Sequence, residues 1–347
     1  MDFFKLGKRY EAFLHLENDG ALLDITAPKD GWERLRAPKM PEKTADRWLD
    51  IEYRLEKNKY ARECTAYFKD AFKYEWIDFG PDILGAICGC EIEFGQDTSW
   101  AVHKKGGLED LGEISFDSGN KWLRRLDEHT KILAAESGGE YVVGITDLHP
   151  GMDALVSLRG PENLCIDIIE TPETVIKYCR MVNAVFKKVF DMQYRAATAR
   201  VPFTTSWMGV LVKERHYPLS CDFSCLISGQ DFERFVVPEL VDEAAFIENA
   251  IYHLDGPQAL RHLDRLLEID GIKGVQWVPG AGQKPMREWI NVLRTIQKAG
   301  KVLDLHVTAD DVMPLLNELN PKGLLLHLRA RSESEAGDII REAAKYR

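Results

Sequence analysis

Four short apolar runs dominate the C-terminal part of this sequence: NAIYHLD (249–255), GVQWV (274–278), KVLDLHV (301–307) and GLLLHL (323–328). Between them lie PQALRHLDRLLEI, KPMREWINVLRTIQKAG and ADDVMPLLNELN, whose apolar residues fall three or four apart. That is strand, helix, strand, helix, in units long enough for a βαβ crossover. Apolar runs without polar alternation suit parallel strands covered on both faces. Gly300 stands where a helix C-cap belongs, and Ser332 with Glu335 makes a capping-box pattern ahead of the last helix.

Upstream, YVVGITD (141–147) and PFTTSW (202–207) read as further strands, and 171–198 as a long amphipathic helix entered by Thr171 and Pro172. The first ninety residues read as mostly helical, with ALLDITAP (21–28) as their strand. No low-complexity tract divides the chain, so residues 1–347 are expected to form one domain. Repeated βα units allow a barrel or an open doubly wound sheet. Neither a G-x-G-x-x-G after a strand nor a G-x-x-x-x-G-K-[ST] is present, which removes the main support for nucleotide-binding open sheets.

A formal charge of −11 leaves no cationic excess for a nucleic-acid backbone, although one basic pocket for an acidic small molecule is still allowed. The N-terminal stretch is broken by charges, and no run approaches the roughly 20 apolar residues of a membrane helix. Seven scattered cysteines without Cys-x-x-Cys spacing suit a reduced, cytoplasmic chain.

LSCDFSCLISGQDFERFVVPEL (219–240) resembles a signature of the uroporphyrinogen decarboxylase superfamily, carried here by Asp222, Ser228, Phe232 and Pro238. IYHLDG (251–256) is similar to the His-x-Cys-Gly or His-x-x-Gly segment that follows it, and DLHPGMDALVSLRGPENLCID (147–167) extends the likeness. The resemblance implies a single-domain (β/α)8 TIM barrel with helical N-terminal additions and a site at the C-terminal strand ends. The sequence departs from two functions of that superfamily. The porphyrin decarboxylases carry an arginine-rich N-terminal segment that grips carboxylates, and no such run occurs here. The corrinoid methyltransferases hold zinc through His-x-Cys and a later Cys. Here Asp255 stands in place of the first Cys, and no Cys follows Cys225.

On a strand, residues two apart share a face, so His253 and Asp255 point one way and Tyr252 and Leu254 the other. His253 and Asp255 can bind a metal, form an acid/base pair in which the carboxylate sets the imidazole tautomer, or make a structural hydrogen bond, and Asp222 at the end of another strand is a further catalytic candidate. His306 and His327 lie near the ends of their own strands and complete a candidate Zn2+ set with His253 and Asp255. Gln276, Trp277, Trp207, Asp147 and Arg329 are the candidate substrate contacts, Trp277 and Trp207 as aromatic walls. Asp153 reads as a helix-start residue.

Three functions follow as expectations. The first is a metal-assisted methyl or one-carbon transferase with a small-molecule substrate, taking its corrinoid only through a partner protein. The second is a cofactor-free decarboxylase or carbon–carbon lyase acting on a small or aromatic carboxylate. The third is a ligand-binding barrel without chemistry. A homodimer is compatible with each; nucleic acid and membrane are not expected partners.

Overall fold

The computed structural model describes residues 1–346. Its strands are β1 (Leu22–Pro28), β2 (Thr65–Lys69), β3 (Tyr74–Glu75), β4 (Glu91–Phe94), β5 (Ser99–Val102), β6 (Val142–Val143), β7 (His216–Leu219), β8 (Asn249–Asp255), β9 (Ile272–Val278), β10 (Val302–Val307) and β11 (Leu324–Arg329). Seven of them form one sheet in the order β2-β1-β11-β10-β9-β8-β7. Every pairing in it is parallel except β1 with β2. The four apolar runs of the C-terminal half are β8 to β11, and helices such as Ile290–Lys298 and Ala309–Glu318 connect them.

This is a mixed α/β, TIM-barrel-like fold. Among the described residues, however, the hydrogen-bonded ladder does not close, which corrects the expectation of a continuous eight-stranded ring. The gap has a local cause. The 202–207 run, expected as a strand, contributes only single bridges, Gly144 to Thr205 and Thr204 to Val212. Pro202 has no N–H to give, and a Ser206–Gly209 turn ends the segment. β3 pairs with β6 as a separate two-residue ladder.

Side-chain alternation divides the sheet into two faces. Tyr217, Tyr252, Val275, Trp277, Leu303, Leu305, Leu324 and Leu326 point outward into a core shared with the surrounding helices. Leu22, Ile251, Val302 and Leu325 point inward and pack in a second cluster with Val142 of β6 and with Phe3, Leu6, Tyr10 and Phe13 of the helix Phe3–Leu14. Phe203, Met208 and Val210 join them. Full burial of such side chains contributes about 1.5–3 kcal/mol each. One glycine is required by this packing: a Cβ at Gly274 would stand 2.2 Å from Val302 Cγ2 and 2.7 Å from the Val302 carbonyl oxygen. The first ninety residues contain helices Phe3–Leu14, Thr44–Leu49, Ile51–Glu63 and Ile83–Cys88 around β1, β2 and β3. No helix of the described residues is long and apolar enough to cross a membrane.

Candidate active site

One step above the inward apolar layer, towards the strands' C-terminal ends, the same face becomes polar. Register explains why these residues meet. His327 is the parallel partner of Asp24 and of His306, and Gln276 is the partner of both Asp304 and His253. The result is a hydrogen-bonded chain across five strands. His327 lies between two carboxylates, with Nδ1 2.8 Å from Asp24 Oδ2 and Nε2 3.1 Å from Asp304 Oδ2. The Gln276 amide nitrogen donates to Asp304 Oδ1 at 2.8 Å, and its carbonyl oxygen lies 2.7 Å from His253 Nδ1.

Electrostatics follow from that geometry. Burial opposes a charge on His327, but the Asp304 and Asp24 carboxylates outweigh it and raise its pKa to about 10. Asp304 is fully buried, which disfavours its charge, yet His327 holds it below the usual carboxylate range. His306 stacks on His327 with centroids 4.7 Å apart. Lost hydration against this wall, together with the His327 charge, lowers the pKa of His306.

Asp304, His306 and His327 each offer one ligand atom, all within 4.8 Å of one another. Two imidazoles and a carboxylate suit a divalent cation of intermediate softness, Zn2+ among them. Asp24 on the far nitrogen of His327 adds the outer carboxylate that orients a metal-ligating histidine. The expected set was His253, Asp255, His306 and His327. The structure joins the last two to Asp304, and places neither His253 nor Asp255 in that group. Asp255 is exposed, and among the described residues its carboxylate makes no hydrogen bond or ion pair. His253 takes Gln276 as its partner, not Asp255. The His-x-Cys zinc arrangement therefore does not fit these residues, whereas a cation on Asp304, His306 and His327 does.

A second cluster faces the first. His149 Nε2 is 3.0 Å from Asp147 Oδ2, and its Nδ1 is 3.7 Å from Asp153 and 4.0 Å from Asp222. Burial opposes its charge, but Asp147 and Asp153 raise its pKa well above the ordinary value. Asp153 is buried in the first turn of the helix Met152–Arg159. It also accepts from the backbone N–H groups of Asp222 (2.9 Å) and Phe223 (3.0 Å), clamping the chain that leaves β7. The Asp222 carboxyl is half open to solvent, and partial desolvation with the Asp153 charge pushes its pKa up to about 6. A cleft of about 290 Å³ opens here, lined by Asp82, His149, Asp153, Asp222, Phe223 and Leu226 among others.

Trp207 links the two clusters. Its indole N–H donates to Asp147 Oδ1 at 3.1 Å, and its ring meets the His253 ring edge-to-face at 5.1 Å. The backbone just beyond it passes under the site. A Cβ at Gly209, which has φ +76°, would stand 3.4 Å from His327 Cε1. Arg329 ends β11, exposed and on the same face as His327, with no carboxylate within 4 Å among the described residues. Trp277 must be corrected. It neighbours Gln276 in sequence and therefore points to the opposite face, fully buried against Trp289 at 5.1 Å. It cannot wall the site.

Asp24, Asp304 and His149 are the residues that sequence reading missed. A charged residue in the middle of an apolar strand, as in ALLDITAP and KVLDLHV, is the signal that marks the first two. His149 sits between the two aspartates of TDLHPGMD.

No family model matches the sequence, and no curated protein matches it. Among solved structures, a methyltransferase from Methanosarcina mazei is similar over 98% of this chain and 98% of that one, with a TM-score of 0.63 at 12% identity. The likeness is one of fold.

Proposed function

We propose that this chain is a metal-assisted methyl or one-carbon transferase of the corrinoid methyltransferase type, on a (β/α)8 barrel of the uroporphyrinogen decarboxylase superfamily. The carrying observation is the Asp304, His306 and His327 group with Asp24 behind His327. The fold shared with the Methanosarcina mazei methyltransferase also supports the reading. Asp304, His306 and His327 would hold Zn2+. When bound, such a cation lowers the pKa of a coordinated thiol and makes it a methyl acceptor. Asp24 orients His327, Trp207 forms one wall, and Arg329 offers an unpaired cation at the rim for an acidic group. A corrinoid would arrive on a partner protein and a small molecule would occupy the mouth.

The test joins metal analysis of the purified protein to an assay of methyl transfer from methylcobalamin to a thiol, followed by corrinoid absorbance. One equivalent of metal, lost with activity in Asp304→Ala, is the expected result. A protein that neither retains nor is stabilised by Zn2+ would refute the reading.

One observation favours a second reading, a cofactor-free lyase acting on a small carboxylate. Asp222, pushed up to about 6 beside His149, has the tuning of a proton donor near neutral pH. Carbon dioxide release from aromatic acids by metal-free protein would select this reading over the first.

A further inference from the structure

We infer that Gln276 is a positioning residue that fixes the neutral His253 ring with its proton on Nδ1, leaving Nε2 as the base at the mouth. The case rests on donor and acceptor inventory. A carboxylate can only accept hydrogen bonds. Asp304 is fully buried and offers Oδ2 to His327, so Oδ1 at 2.8 Å must face the N–H of the Gln276 amide. Gln276 is 1% exposed and held between Asp304 and His253, so its amide has one orientation. Its carbonyl oxygen therefore faces His253 Nδ1 at 2.7 Å, and that nitrogen must carry a hydrogen.

The tautomer of a histidine is set by the hydrogen bond that its other nitrogen makes. In the neutral ring Nε2 is then a bare lone pair. Among the described residues it has no hydrogen-bond partner, while the ring is half-buried against Trp207. An imidazole presented in this way is an acceptor waiting for a donor from the ligand. The ligand it suits carries an ionisable X–H, a thiol or a hydroxyl.

The role in turnover rests on the transferase reading; the tautomer does not. In the transfer step, Nε2 takes the proton of the acceptor X–H and becomes the N–H of an imidazolium. The freed X electron pair forms the bond to the methyl carbon. The bond from that carbon to the methyl donor, a methylated corrinoid or an onium compound, breaks with its electron pair going to the donor. His253 is thus a catalytic residue, and Gln276 acts through it.

Selective ¹⁵N labelling of the histidines, with His253→Ala to assign the resonance, reads the tautomer directly. A pyrrole-type Nδ1 and a pyridine-type Nε2 in neutral His253 are expected. Gln276→Met, which keeps bulk but removes the acceptor, should shift the ring to the Nε2–H form that unconstrained imidazole prefers. Transfer should then fall by about 10²-fold or more, the scale of a misplaced general base. A neutral His253 protonated on Nε2 in the unmodified protein overturns the inference whatever becomes of the variant, as does an unchanged tautomer in Gln276→Met. An Nδ1–H ring in a protein without transferase activity would uphold it and remove the transferase reading instead.

Discussion

Replacing Asp304 by Asn tests the hub of the polar layer in metal-free protein. The carboxylate is fully buried and accepts from both Gln276 and His327. Asn keeps the shape but removes one of the two charges flanking His327. Raising His327 from 6.5 to about 10 is a net stabilisation of ~5 kcal/mol by its two carboxylates after the opposing burial, at ~1.4 kcal/mol per pH unit. Losing one of them should cost about 3 kcal/mol, the lower end of what breaking a buried pair costs. The sign over pH is definite. A folded pKa above the unfolded one gives stability that is complete below about pH 6.5 and is lost as pH rises through about 10. Urea unfolding of the two proteins, with EDTA present, should show a stability that falls across that window in the parent and a flatter profile in Asp304→Asn. A variant within ~0.5 kcal/mol of the parent at pH 7, the spread of ordinary surface changes, would refute the account. So would one that keeps the parent's alkaline decline.

Four further outcomes are expected. Trp277→Ala should cost about 3–5 kcal/mol in unfolding free energy, since its ring is fully buried against Trp289, and should leave ligand affinity intact. Trp207→Ala should do the opposite, changing binding or turnover more than melting temperature, because it releases Asp147 and one wall of His253. Asp255→Cys should leave Zn2+ affinity unchanged while His306→Ala lowers it, as measured by competition with a chromophoric chelator; tighter binding in Asp255→Cys would return that position to the metal site. If Asp222 delivers a proton in its acid form, the rate should decline as pH rises through about 6, and Asp222→Asn should abolish that limb.

What was legible in the sequence, and what was not, follows from range. The C-terminal strands and helices were readable because period and length are local properties; β8 to β11 fall on the four apolar runs. Same-face alternation was also readable, and it already contained the evidence against Trp277 as a wall, because Gln276 and Trp277 cannot both face the mouth. Register was not readable. Whether His253 meets Asp255, two residues away, or Gln276, 23 residues away, depends on how β8 pairs with β9. Asp24 was invisible for the same reason: only the pairing of β1 with β11 brings it to His327. The break in the ladder at 202–207 depends on the Ser206–Gly209 turn, which the β-rich composition of PFTTSW conceals.

The contact between Asp24 and His327 spans 303 positions of the chain, and this has a consequence for biogenesis. During synthesis β1 leaves the ribosome well before β11, because 303 positions separate Asp24 from His327. Until β11 arrives, Asp24 and Asp304 lack the imidazole between them, and burying either carboxylate alone is strongly unfavourable. The polar layer thus opposes premature closure of a partial sheet. Contacts of such long range also slow the final step of folding. Nascent chains arrested before residue 327 should therefore remain open and protease-sensitive, however many helices they have already formed.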